Sequence, residues 1–486
     1  MGKSIFHRSA ILILSSIIVA SFGCASKSSS GSGSSGLFAN SGNSSPAGSG
    51  ITQLRAYRES TMPNGLKVLF LPDQSLPALS LGLLVKTGGT SDPDGLAGLS
   101  NFVSDLLDQG TKRRNSNQIA DDLGRIGATF RSSVDYDYTY LSLSGLSVSS
   151  TDLLSNFVEF ATQPTFRDSE IKRVREQTIA SMQRSLDNPR AVAELGLLNH
   201  LYGQHPYGRP VVGIRSQLSE VTKKNVIQHY LKYYRPNNSI LVVVGKFDAD
   251  FEKKVETAFT DWVKREITLQ TLPTPKSIPG LRVRVVEKAG LSQAQIRIAG
   301  IGIKRQDADF MALRLANTIL GGAFASRLND KIRKELGLTY SINSGFDSRI
   351  EKGPFYISTF TKVESIEKVV TETVKLYREF IANGVTKEEL NRAKGYLKGI
   401  FPQAIETSDK LGFNLVLLRL YGIPDRYLTH YVHDLDALSV SDVNSAIRRN
   451  MKPDDLAIVV HAPKESAEAL RSLGPAYEVI PVSSLQ

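Results

Sequence analysis

One cysteine, Cys24, stands in 486 residues, which excludes an internal disulfide framework and any metal site built from clustered cysteines. There is no G-x-S-x-G segment and no catalytic cysteine, so serine- and thiol-hydrolase chemistry has no nucleophile to start from. Long runs of like charge are also missing. The 59 basic residues outnumber 48 acidic ones, for a formal net charge of +11, but they are scattered and do not interleave with aromatics. No nucleic-acid surface is expected; a solvated basic surface is, with mild attraction to anionic lipid as the alternative. Gly321-Gly322 is followed by no Lys-Ser/Thr pair, so it reads as a flexible turn before a helix and not as a phosphate loop. His430, His433 and Asp434 have helical spacing but lack a distant third ligand, which points to a solvated or capping cluster.

The N-terminus is informative by its order. Lys3 and Arg8 precede the apolar run Ile11–Ala20, too short to span a bilayer, and Ser21-Phe22-Gly23-Cys24 follows. This resembles a bacterial lipoprotein signal: residues 1–23 would be removed and Cys24 would carry the lipid. An ordinary secretory signal with an incidental cysteine is the alternative, since Ser21 and Phe22 depart from the pattern. Residues 24–50 continue as a Ser/Gly-rich tract with too few apolar side chains to fold, a tether with a reach of about 25–30 Å. Ala25, and not Asp, follows the cysteine. By the same resemblance the expected location is the bacterial cell envelope, on the periplasmic face of the outer membrane.

Beyond the tether the chain repeats itself. Leu218–Val226, Arg235-Pro236 and Leu241–Val243 recur as Leu435–Val443, Lys452-Pro453 and Ile458–Val460, each at an offset of 217 (435 − 218, 452 − 235, 458 − 241). A period this long marks a duplicated domain, not a solenoid. Asp168-Ser-Glu and Thr386-Lys-Glu-Glu open corresponding helices with N-terminal capping chemistry. Leu66–Leu71, Leu79–Val85 and Ser239–Gly245 read as strands. The expected fold class is α+β: two homologous domains, residues 51–265 and 281–486, each a mostly antiparallel sheet covered by helices. The stretch 266–280, with Pro273, Pro275 and Pro279, would link them.

Residues 95–111 read Gly-Leu-Ala-Gly-Leu-Ser-Asn-Phe-Val-Ser-Asp-Leu-Leu-Asp-Gln-Gly-Thr and enclose an apolar helical run, Leu96–Leu107. They resemble the inverted zinc motif of the pitrilysin/insulinase family, G-L-A-H-F-L-E-H-M-L-F-x-G-T, with its ligands replaced. Counted back from Gly110-Thr111, Asn101 stands for the first His, Ser104 for the Glu and Asp105 for the second His. An amide and a hydroxyl are poor zinc ligands, and one carboxylate holds no zinc. The family's third ligand, a Glu on a later helix, would fall near Ala180–Gln183, where no carboxylate occurs; Glu176 is one helical turn off register. Asn64-Gly65-Leu66, Gln118-Ile119-Ala120, His205-Pro-Tyr-Gly-Arg-Pro210 and Tyr234-Arg-Pro-Asn-Asn238 match further, in order. His205 is structural in the family. The resemblance covers roughly residues 55 to 470. It implies two related halves facing each other like a clamshell, and no zinc bound by this chain.

The second half keeps what the first has lost. Between Ser326 and Tyr340, Leu328, Ile332 and Leu336 recur every four residues, so one helix face packs inward. Gly337 supplies the left-handed residue that ends the helix, and Leu338, Tyr340 and Ile342 alternate as a strand face. A tight turn between them can bring the tips of Arg333 and Tyr340 together. This run resembles the family's R-x-x-x-G-L-x-Y segment, which implies that Arg333 and Tyr340 reach a substrate across the clamshell; both are hydrogen-bond donors suited to a carbonyl oxygen. In two-chain members one subunit carries H-x-x-E-H and the other the Arg/Tyr pair. The chain resembles the second kind. The expectation is a non-catalytic subunit that binds peptide through Arg333 and Tyr340. It would pair with a homologous H-x-x-E-H subunit holding the zinc, and meet the membrane through its lipid. A proteolytically inactive scaffold or binding lipoprotein of the cell envelope is the alternative.

Overall fold

Ser239–Gly245 is among the most apolar stretches of the first half, and nearly every residue of the strand it forms is buried. A strand with both faces covered reads as a continuous hydrophobic run, and the architecture supplies a cover on each side. The computed structural model describes residues 51–268, 271–474 and 476–485; the leader, Cys24 and the Ser/Gly tract lie outside them.

The first sheet contains β1 (Arg58–Thr61), β2 (Lys67–Pro72), β3 (Ala78–Val85), β4 (Thr129–Val134), β5 (Thr139–Leu146) and β6 (Ser239–Gly245), in the order β1-β2-β6-β3-β5-β4. Only β2 and β6 run parallel. The second contains β7 (Arg282–Glu287), β8 (Gln293–Ile301), β9 (Ile342–Phe346), β10 (Pro354–Lys362), β11 (Ala457–Ala462) and β12 (Ala476–Pro481), in the order β12-β7-β11-β8-β10-β9. Without the edge strands β1 and β12 the two orders superimpose, β2-β6-β3-β5-β4 on β7-β11-β8-β10-β9. The edges differ: β1 pairs antiparallel with β2, whereas β12, from the far end of the chain, pairs parallel with β7. Both sheets are thus mixed α+β layers covered by helices, as the duplicated pattern implied.

The halves exchange helices. Pro189–Tyr202, from the first half, packs on β8, β11 and β7 of the second sheet, while Ser408–Leu420, from the second half, packs on β6, β2 and β3 of the first. Each crossing helix places a glycine against the sheet it visits. A Cβ on Gly196 would lie 2.8 Å from Val286 Cγ2, and one on Gly412 would lie 2.9 Å from Val244 Cγ2. As a result Leu69, Leu71, Val242 and Val244 of the first sheet belong to the same apolar cluster as Leu411, Leu415 and the core of the second half.

A buried polar junction sits between the two β-sheet ends. The Tyr207 hydroxyl donates to Asp137 Oδ1 at 3.0 Å and accepts from the Glu351 N–H at 3.0 Å, and the Ile350 N–H donates to Asp137 Oδ2 at 2.8 Å. Arg349, paired with Asp347 at 2.6 Å, lies 3.6 Å over the Tyr136 ring and 4.6 Å over Tyr207. Burial pushes the Asp137 carboxyl up to about 7. A carboxyl that holds its proton more tightly folded than unfolded adds stability at low pH and loses it as pH rises through the folded value. Asp137→Asn cannot ionise, so its melting temperature relative to wild type should rise between about pH 4 and about pH 7 and stay level above that. Parallel melting curves with no pH-dependent difference would show that Asp137 titrates normally.

Candidate functional site

Ahead of the helix Leu99–Asp105 the chain must turn tightly, and Gly98, at φ +94°, does so with its Cα against Gly213 of the His205–Pro210 loop's continuation; a Cβ on Gly98 would meet Gly213 Cα at 2.6 Å. Asp92 then caps the helix. Its carboxylate accepts from the Gly98 and Ser100 N–H groups, both at 2.7 Å, and from the Ser100 hydroxyl at 2.6 Å. Burial pushes the Asp92 carboxyl up to about 7, against these bonds. His229 lies 3.3 Å from the Ser100 hydroxyl, and burial pushes it down to about 3, so it is a neutral core imidazole.

The three positions expected to stand where the family has its zinc ligands, Asn101, Ser104 and Asp105, lie on this helix. Asn101 and Asp105 are one turn apart, and the Asn101 amide donates to Asp105 Oδ2 at 3.0 Å. Ser104 points inward, buried beside Tyr234 with no hydrogen bond of good geometry. The helix Asp168–Ser185 packs against it, with Arg175 5.9 Å over the Phe102 ring, and Ala180–Gln183 on that helix bring no carboxylate. The donor set does not fit zinc: the amide and the one carboxylate satisfy each other, and the hydroxyl is turned to the core. Among the described residues no three His, Cys, Asp or Glu side chains gather in a metal-holding group. His433 and Asp434 bond to each other at 3.0 Å, and Arg426 takes the same carboxylate at 2.7 Å, as a surface cluster.

Arg333 and Tyr340 lie on a segment pinned from several sides. Arg327 forks onto Glu389, 2.7 Å to each oxygen, and Asn329 donates to the Ile342 carbonyl at 2.9 Å. Glu389 is itself the capping-box residue of the helix Lys387–Ile405. Thr339 and Thr361 tie Leu338–Tyr340 to β10 through bonds of 2.6 Å each. With its backbone held, the Tyr340 side chain is 82% exposed. No hydrogen bond or ion pair engages the side chain of Tyr340 or Arg333 among the described residues, and their tips do not bond to each other. Arg333 instead lies 4.5 Å over the ring of Phe324, with Lys334 5.6 Å away on the same ring.

Three expectations are corrected here. The helix carrying Arg333 is wide: Asn329–Glu335 and Thr318–Gly322 are both π-helical, and the Leu336 N–H bonds back to Lys331. Leu328 and Ile332 still point inward, because a spacing of four serves either helix type. Tyr340 precedes β9, which begins at Ile342, so it projects from a bend and not from a strand face. Gly321-Gly322 is not a flexible turn either. A Cβ on Gly321 would meet Ser344 Oγ at 2.6 Å, and one on Gly322 would meet Asn317 Nδ2 at 2.7 Å, so both glycines are close-packing positions. Phe324, 65% exposed, was invisible as a site residue from periodicity. Its signal was an aromatic side chain two residues beyond a glycine pair, in Gly321-Gly322-Ala323-Phe324.

Comparison with known proteins matches residues 67–214 to the family described as Insulinase (Peptidase family M16), and residues 220–397 to Peptidase M16 inactive domain. An uncharacterized zinc protease of Bacillus subtilis, YmxG, is 23% identical over 408 residues, 83% of this chain and 97% of that one. A protein of Helicobacter pylori termed a non-peptidase homolog is 23% identical over 409 residues, 82% of this chain and 92% of its own length. The crystal structure of a peptidase M16 inactive domain from Pseudomonas fluorescens superimposes with a TM-score of 0.78 at 27% identity, covering 84% of this chain and 98% of that one.

Proposed function

The chain belongs to the insulinase family, peptidase family M16, and on that premise we propose that it is the non-catalytic subunit of a two-chain metallopeptidase. The observation that carries the proposal is an asymmetry within one polypeptide. The helix Leu99–Asp105 has closed on itself through Asn101 and Asp105, while the side chains of Arg333, stacked on Phe324, and Tyr340 make no hydrogen bond or ion pair among the described residues. A homologous subunit with an intact H-x-x-E-H helix would hold the zinc. This chain would close over the peptide and present a guanidinium and a phenol to the carbonyl being attacked. Both are donors, and both strengthen their bonds as negative charge grows on that oxygen. The lipid on Cys24 would keep the pair at the periplasmic face of the outer membrane.

The test is reconstitution. The chain purified alone should carry no stoichiometric zinc and cleave no peptide; mixed with an H-x-x-E-H subunit from the same cell, it should give a one-to-one complex that cleaves peptides and stops on chelation. Zinc bound to the isolated chain with turnover to match would refute the proposal. A one-to-one complex without cleavage would favour the scaffold reading, which the name of the Helicobacter relative also fits.

A further inference from the structure

Away from Arg333 and Tyr340, the second half holds two arginines, Arg305 buried and Arg314 half-buried, that pair with no carboxylate. Arg305 is only 6% exposed. Its guanidinium is sandwiched, 4.0 Å over the Phe310 ring and 4.6 Å over the Tyr427 ring, and no hydrogen bond or ion pair engages its side chain among the described residues. Stacking satisfies the two faces of a guanidinium but not its edge, where all five N–H donors lie. Arg314, from the helix Phe310–Asn317, comes to the same place. It lies 5.2 Å over the Tyr431 ring and donates only to the Tyr427 hydroxyl, at 3.3 Å.

Both arginines line one open cleft in the second half, beside Phe401, Ala404 and Tyr421. The remaining wall is mostly apolar, with Ile400, Leu417 and Leu418 among its residues. A guanidinium cannot shed its charge, so a buried one is costly unless an anion meets it. The cleft offers one buried and one half-buried guanidinium and no acid of its own. Inorganic phosphate would meet the charges but leave the aliphatic wall without a partner. A carboxylate with a short aliphatic chain meets both: its planar pair of oxygens fits the edge of a stacked guanidinium, and its chain covers the leucines. We propose that this cleft binds a small aliphatic carboxylate, with the anion held by Arg305 and Arg314.

Titration calorimetry on the full chain with acetate, butyrate and inorganic phosphate tests this. Butyrate should bind one to one, and affinity should rise roughly fourfold for each methylene added from acetate. Arg305→Lys keeps the charge but loses the fork, and should weaken butyrate at least tenfold. Ala404→Leu adds bulk to the cleft wall without touching either arginine, and should abolish binding, so the proposal stays testable if the Arg305 variant fails to fold. Absence of butyrate binding to wild type at millimolar concentration overturns the proposal. So does phosphate binding as tightly as butyrate with no effect of chain length, or butyrate binding that survives Ala404→Leu.

Discussion

Arg333→Ala combined with Tyr340→Phe should lower peptide cleavage by the reconstituted complex at least a hundredfold in kcat/KM, with the one-to-one assembly unchanged on gel filtration. The size follows from the role. Removing one donor aimed at a developing oxyanion costs on the order of a hundred- to a thousandfold, and the double variant removes the donors this chain is proposed to supply. The structure makes the assembly control meaningful. Tyr340 is 82% exposed and its backbone is tied to β10 by threonine side chains, so losing its hydroxyl leaves the fold alone. Arg333 stacks on Phe324 without an ion pair, so its removal strands no buried carboxylate. Phe324→Ala separates placement from chemistry: it should weaken activity less than Arg333→Ala, by loosening the guanidinium while keeping it. Full activity in the double variant would leave the chain a scaffold that merely accompanies the zinc subunit.

How much of this was readable beforehand depends on what kind of information each feature needs. The duplication was legible because repeated strands and helix caps repeat residue types; the matched inner orders β2-β6-β3-β5-β4 and β7-β11-β8-β10-β9 are its three-dimensional form. That Asn101, Ser104 and Asp105 share one helix was legible because helical spacing is local, and they lie on Leu99–Asp105. The helix exchange was not. Apolar periodicity in Pro189–Tyr202 and Ser408–Leu420 says that each helix has a face to bury, but not which sheet receives it. The π-helical turns escaped for a related reason, since Leu328 and Ile332 face inward with either helix type. Arg305 and Arg314 looked like two more scattered cations, because charge is counted along a chain and burial is not. The edge strands β1 and β12 broke the symmetry because the duplicated unit has its spare strand at opposite ends of the polypeptide.

The helix exchange makes the second large prediction, and its sign is opposite to the ordinary rule. A glycine inside a helix is destabilising by roughly 0.5–1 kcal/mol relative to alanine, through lost backbone entropy. Gly395 and Gly399, on the helix Lys387–Ile405, have nothing within 4 Å of a new Cβ, so alanine there should raise the melting temperature. Gly196 and Gly412 should behave in reverse. Their new Cβ atoms would press on Val286 and Val459 in one case, and on Val244 and Val242 in the other, at 2.8–3.2 Å. These valines sit on interior strands of the two sheets and cannot give way as a surface side chain would. Alanine at either position should therefore destabilise, and Gly412→Leu should cost about 1–3 kcal/mol or more as overpacking. Because each helix belongs to one half and rests on the other, the loss should appear as a single cooperative transition shifted downward. Separate melting of the two halves after Gly412→Leu, or a stability gain from Gly196→Ala, would mean that the crossing helices do not bind the halves into one folding unit.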